Sequence, residues 1–210
     1  MKIAVIDSGV AIPHPHIGVI AGGVSIDDDG ESDDFRDLLG HGTAVMAAIM
    51  EKAPGADYFA VRVFSTSLRT RIGQLLRGLD WALDHQADLI NLSLGTQNPE
   101  HGESFAPLIE RALRSKTLII SPAAALPGTL DGVIAVDVDP DCPRDEYRVV
   151  HFNQRREFRA SPYARPIPGV PLERNLNGIS FAVANMTGII ARDYERFAAE
   201  FGIGLTRSKP

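Results

Sequence analysis

The sequence predicts an α/β protein of three layers, a mostly parallel β-sheet flanked by helices on both faces. Short apolar runs rich in β-branched residues alternate along the chain with longer segments of helical periodicity. The apolar runs end on glycine, aspartate or serine, as strands entering turns do. The runs show no strict polar alternation, which fits strands buried on both faces. With 210 residues the chain is long enough for a sizeable core, and a single compact domain over 1–210 is expected.

Taken in order, residues 2–6 read as a buried parallel strand closed by Asp7-Ser8-Gly9. A proline-rich turn, His14-Pro15-His16-Ile17, follows, and then a polar stretch over 22–34. From His41 the small and apolar run 44–50 predicts a buried helix stopped near Pro54-Gly55. Residues 56–63 read as a strand. Residues 70–85 form a helix with an apolar stripe through Ile72, Leu75, Leu76, Leu79, Trp81 and Leu83. A strand over 89–94, a helix over 104–114 and strands over 117–121 and 133–138 continue the alternation. Residues 140–176 are rich in proline and arginine and give no clear pattern. Residues 179–199 predict one long helix with Ser180 in its first turn. No internal repeat or low-complexity linker interrupts the chain.

Composition excludes several classes. A formal charge of −6 and a pI near 5.5 argue against nucleic-acid binding, which needs a basic face. No run of about 18 apolar residues exists to cross a membrane. The single cysteine, Cys142, has no internal disulfide partner, which fits a reducing compartment. The first strand begins almost at Met1, with no signal-peptide pattern ahead of it, so a cytoplasmic location and no propeptide are expected.

Three words of sequence carry the chemistry: Ile3-Ala4-Val5-Ile6-Asp7-Ser8-Gly9, Gly40-His41-Gly42-Thr43 and Asn177-Gly178-Ile179-Ser180-Phe181-Ala182. Each sets one reactive side chain among small or apolar neighbours. Singly, each has a plainer reading: Asp7 as a turn aspartate, His41 as a helix-entry residue capped by Thr43, Ser180 as a helix N-cap. Jointly they supply an acid, a base and a nucleophile in the order Asp…His…Ser. A serine hydroxyl becomes nucleophilic when an imidazole takes its proton and a carboxylate fixes the imidazole's tautomer. A fourth word, Asn91-Leu92-Ser93-Leu94-Gly95, ends a strand on glycine, as an edge that pairs with an extended peptide would.

On these words the chain resembles the subtilisin-like serine peptidases, from residue 3 to about 190. His14-Pro15, the run 133–136 and Pro168-Gly169-Val170 add to the likeness. The resemblance extends to small maturation peptidases of the family, the one associated with quinohemoprotein amine dehydrogenase among them. It implies that Asp7 orients, that His41 acts as general base and then acid, and that Ser180 attacks the scissile carbonyl. It also implies that Ser93, Leu94 and Gly95 pair with substrate and wall the pocket for the residue before the cut. The Ser180 backbone N–H would face the oxyanion.

The chain also departs from the family. The usual oxyanion asparagine is absent near Ala124, where the sequence reads Ser121-Pro122-Ala123-Ala124-Ala125. Asn177 and Asn185 are the side-chain donors that remain. Ile179 stands where the family prefers threonine, and Val183-Ala184-Asn185 replaces Ser-Pro-His. A weakened oxyanion hole predicts a slow enzyme that relies on binding one dedicated protein or peptide precursor, such as a leader-bearing one. A non-catalytic peptide-binding module and a peptide ligase or macrocyclase are the alternatives. No cofactor is expected. The aspartates of 27–34 form no calcium-loop pattern and read as a solvated loop, or as an attractor for a basic leader. His14, His16, His85, His101 and His151 show no metal-ligand spacing, and Arg155, Arg156 and Arg159 read as exposed surface.

Overall fold

A computed structural model describes residues 1–152 and 155–201. The strands are β1 (Lys2–Asp7), β2 (Ile20–Ile26), β3 (Glu31–Ser32), β4 (Asp57–Arg62), β5 (Leu89–Leu92), β6 (Leu118–Pro122), β7 (Ile134–Val138), β8 (Tyr147–Phe152) and β9 (Arg155–Ala160). The helices are α1 (His41–Met50), α2 (Ile72–Asp84), α3 (Gly102–Ser115), α4 (Ile179–Arg192) and α5 (Tyr194–Phe201). Among the described residues the strands form one sheet in the order β3-β2-β4-β1-β5-β6-β7-β9-β8. Its interior pairings are parallel, and antiparallel pairs close both edges, β2 with β3 and β8 with β9.

Two apolar cores lie on opposite faces of the sheet, and alternation along β1 divides between them. Ile3 and Val5 join α1 and α4, through Val45, Ile49, Ala182 and Met186. Ala4 and Ile6 join α2 and α3, through Leu75, Leu79, Phe105 and Ile109. This is the period-2 geometry of a strand covered on both faces. Strand β1 is central, and the strands that follow it in the chain are laid down first on its β4 side and then on its β5 side. The carboxyl ends of β1 and β5 therefore open into a crevice where the winding direction reverses, the usual place for a site in such sheets.

The expected elements are present, with shifts of one or two residues at most ends. Three differences have physical causes. The polar stretch after the first turn contains β2, whose Val24, Ser25 and Ile26 are buried beside β4, and the short β3. The unassigned stretch 140–176 contains the β8–β9 hairpin. The expected single helix over 179–199 divides at Asp193 into α4 and α5. The break lets Phe197 and Phe201 of α5 meet Tyr147 and Phe158 of the hairpin in an aromatic cluster with centroid separations of 5.2–6.4 Å. Tertiary packing overrides an unbroken helical pattern there.

The basic stretch is only partly the exposed surface expected. Arg155 donates to the Gly128 and Leu130 carbonyls, and Arg156 lies 4.6 Å from the ring centroid of Phe201. No helix among the described residues is long and apolar enough to cross a membrane.

Candidate active site

Asp7 is the last residue of β1 and is 1% exposed. A carboxylate buried at the end of an apolar strand needs partners. Its Oδ1 accepts from the Ser8 backbone N–H and from His41 Nδ1, each at 2.7 Å. An ionised carboxylate only accepts, so the Nδ1 proton points at Asp7 and Nε2 is the ring's proton-accepting atom. Burial pushes the His41 pKa down, but the Asp7 hydrogen bond and the charges of Asp7 and Asp37 outweigh it and leave it above the ordinary value.

Backbone contact brings these two side chains together. His41 opens α1 after Gly40, which has φ 80°. A Cβ on Gly42 would lie 2.4 Å from the Gly9 carbonyl oxygen and 3.0 Å from Ser8 N. The first turn of α1 therefore packs directly on the Asp7-Ser8-Gly9 turn, which only glycine allows. Asp37 ties the two segments. It accepts from Ser8 Oγ at 2.8 Å, from Leu39 N and Gly40 N at 2.9 and 2.8 Å, and from Thr43 N and Oγ1 at 2.8 and 2.5 Å. Burial raises the Asp37 pKa, yet these donors win and hold it below the usual carboxylate value. Thr43 is thus no N-cap: its hydroxyl donates to Asp37 and accepts from Ala11 N at 2.9 Å.

Ser180 is the second residue of α4, behind Gly178 with φ 137°. It is not the N-cap either. Its hydroxyl donates to the Ser93 carbonyl at 3.2 Å, and the Ser93 hydroxyl returns a bond to the Ser180 carbonyl at 3.2 Å. Behind Ser93 runs a buried chain: Asn91 Nδ2 donates to Ser93 Oγ at 2.8 Å, and Thr187 Oγ1 donates to Asn91 Oδ1 at 3.0 Å. This network fixes the start of α4 to the end of β5. The His41 ring lies 5.8 Å from the ring of Phe181, the neighbour of Ser180. Among the described residues His41 makes no hydrogen bond to the Ser180 hydroxyl, which is engaged by the Ser93 carbonyl. The Ser180 N–H lies in the first turn of α4, where backbone donors have no intrahelical partner.

The asparagines considered for the oxyanion have other work. Asn185 is fully buried, donating to the Ser161 and Tyr163 carbonyls at 2.8 and 3.0 Å and accepting from Lys52 Nζ at 2.8 Å. Asn177 Nδ2 donates to the Asn175 carbonyl at 3.1 Å. Ala123, Ala124 and Ala125 turn away from β6, and beyond Leu94 and Gly95 the two walls are joined by reciprocal backbone bonds between Thr96 and Leu126, 3.0 and 2.8 Å. A Cβ on Gly95 would meet the Leu126 carbonyl at 2.4 Å.

Comparison with known proteins agrees with this architecture. The model of the subtilase family, Peptidase_S8, matches residues 1–125, a span that holds Asp7 and His41 and ends before Ser180. The chain belongs to the subtilase family. Subtilisin E of Bacillus subtilis (strain 168) is 26% identical over 202 residues, 90% of this chain and 52% of its own length. An intracellular serine protease of Paenibacillus polymyxa is 30% identical over 135 residues, 59% of this chain and 41% of its own. This subtilase therefore spans about half the length of the curated relatives it matches. Its fold is similar to the solved structure of the prenylagaramide maturation protease PagA, with a TM-score of 0.68 and 20% identity over 96% of this chain and 77% of that one.

Asp37 and Thr187 escape the sequence reading, as do the bonding roles of Ser8 and Asn91 within the words that hold them. Asp37 has a local signal, an aspartate four residues before the histidine that opens a helix. Asn91 and Thr187 have none, since strand and helix must pack before they meet. The acidic run is paired rather than simply solvated. Asp34 binds Arg36, Asp28 binds Arg71, and Arg77 reaches Glu31 and the Asp27 carbonyl. Among the described residues no group of three or more His, Cys, Asp or Glu is placed to hold a metal ion.

Proposed function

We propose that this subtilase is a serine endopeptidase in which Asp7 orients His41, His41 shuttles a proton and Ser180 is the nucleophile. The observation that carries the reading is the 2.7 Å bond from His41 to the buried Asp7, with Ser180 at the adjoining helix start. In the resting arrangement the Ser180 hydroxyl sits on the Ser93 carbonyl. A substrate main-chain N–H docking on that carbonyl displaces it, and rotation of the serine side chain carries the hydroxyl toward Nε2.

Ser180 Oγ then bonds to the scissile carbonyl carbon as its proton passes to Nε2. The raised imidazole pKa favours that transfer. The Ser180 N–H, at a helix end with positive dipole, faces the oxyanion. His41 next gives the proton to the leaving nitrogen and the C–N bond breaks. Water repeats the sequence: its proton goes to His41 as its oxygen bonds to the acyl carbon, then the bond from that carbon to Ser180 Oγ breaks and His41 returns the proton to Oγ.

We further propose a narrow processing role, removal of a leader from one dedicated precursor; the fold neighbour PagA is named a maturation protease. Asn177 and Asn185 are engaged elsewhere and no asparagine stands near Ala124. Loss of one oxyanion donor costs about 10²–10³-fold in kcat in a subtilisin. Such an enzyme depends on binding energy from remote contacts. Digestion of unfolded casein tests the role. Cleavage at a few sites, slower than by subtilisin E and abolished by Ser180→Ala, is expected. Rapid cleavage throughout casein would refute the narrow role, and cleavage that survives Ser180→Ala would refute the assignment of the nucleophile.

A further inference from the structure

Beside the candidate active site lies a groove of about 450 Å³, walled by the first turns of α1, the 11–16 turn and the loop that leads into α4. Gly40, just before His41, and Thr43, two residues after it, both line it. Leu176, four residues before Ser180, also lines it, and none of Ser93, Leu94 or Gly95 does. On the peptidase reading His41 protonates the leaving nitrogen, and this groove adjoins the helix start that carries His41.

The groove combines an apolar lining with one guanidinium, that of Arg165, and two imidazoles. Ala44, Ala47 and Ala164 are part of its apolar lining. Ile167 and Leu176 are 45% and 53% exposed, large apolar side chains left in water at its edge. Its ionisable lining groups are His14, His16 and Arg165, and no carboxylate lines it, although the molecule as a whole carries a charge of −6. Arg165 spends one N–H donor on the His16 carbonyl at 3.2 Å. The neighbouring Glu51 is paired at 2.5 Å with Arg144, not with Arg165. His14 Nδ1 accepts from the His16 backbone N–H at 3.2 Å, so its neutral ring carries the proton on Nε2 and can donate it.

We propose that this groove binds the segment of substrate that follows the cut bond, and that this segment presents an apolar side chain followed by carboxylates. The apolar side chain covers Ile167 and Leu176. The carboxylates meet the Arg165 guanidinium and the His14 imidazole, in the charge-assisted geometry that arginine favours.

Product-like probes test this without requiring turnover. Two tetrapeptides with free N-termini and a C-terminal fluorophore amide, Ser-Leu-Glu-Glu and Ser-Leu-Lys-Lys, are titrated with the full chain and read by fluorescence anisotropy. The acidic probe is expected to bind about tenfold more tightly. Arg165→Glu reverses that order. Leu176→Glu, on an exposed side chain, weakens the acidic probe about fivefold while circular dichroism is unchanged. Equal affinity for the two probes, or a preference that survives both substitutions, overturns the proposal. Capture of a fluorophosphonate at Ser180 reports separately on the peptidase reading. A protein that is captured but does not discriminate loses only the groove assignment, and one that discriminates without capture loses the nucleophile.

Discussion

At His41, two opposing effects set a measurable quantity. Burial disfavours the imidazolium and the Asp7 carboxylate favours it, and the carboxylate wins. The base form is needed for attack, so kcat/KM should rise with pH through a midpoint above the ordinary histidine value. Asp7→Asn removes the charge and disturbs the tautomer, so kcat should fall about 10⁴-fold and the midpoint should move down. A pH–rate profile of both proteins checks this, and an unmoved midpoint would detach Asp7 from the imidazole. Gly42 is the second residue-scale test. The methyl of Gly42→Ala must push on the Gly9 and Ser8 backbone rather than on a flexible side chain. We expect a loss of stability of roughly 1–3 kcal/mol together with a large loss of activity, because α1 must retreat from the Asp7 turn. Denaturant titration beside a rate measurement checks it. Wild-type stability with wild-type activity would mean that the close approach is dispensable.

At the scale of elements, α1 and α4 are joined by a buried polar contact that patterning does not announce. Lys52, just beyond α1, is 6% exposed and donates to Asn185 of α4 at 2.8 Å, with Glu51 and Asp145 at 3.6 and 3.9 Å. Desolvation, aided by Arg144, lowers its pKa to about 8. The folded state therefore releases this proton before the unfolded chain does, and the lysine's contribution to stability rises with pH from about 8 toward the unfolded value near 10.4. Buried Tyr58, whose pKa is raised, opposes this above about pH 10. Wild type should therefore gain stability relative to Lys52→Met between pH 8 and 10, as read by denaturant titration, and a constant difference would contradict a depressed lysine. The same contact explains what could be read in advance. Asp7, His41 and Ser180 stand in short words whose neighbours dictate strand end, helix start and helix turn. Lys52 and Thr187 sit in windows that look merely apolar, and the way these two join Asn185 and Asn91 depends on bonds that span 133 and 96 residues of chain. The division of 179–199 at Asp193 was unreadable for the same reason, since the hairpin that draws α5 aside lies in the stretch without a pattern.

For the whole molecule, alternation of apolar strands with periodic helices was enough to give the layers, because each strand must be covered on both faces. The candidate site lies where the end of β1 and the end of β5 meet, at the reversal of strand order. What alternation could not give was the fate of surface charge. Asp34, Asp28 and Glu31 pair with Arg36, Arg71 and Arg77, so about half of the cluster's carboxylates are neutralised within the fold. Thermal unfolding should therefore be the same with added calcium and with a chelator, and a calcium-dependent rise in Tm would show that this pairing had been misjudged.

The claim on which the rest depends is that Asp7, His41 and Ser180 act as one unit. Its most direct measurement is covalent capture by a fluorophosphonate, with the adduct located by peptide mass spectrometry and its rate followed against pH. The account predicts a single adduct on Ser180, forming faster as pH rises through the His41 midpoint and lost in Ser180→Ala. An adduct elsewhere, or capture at an unchanged rate in His41→Ala, would contradict it.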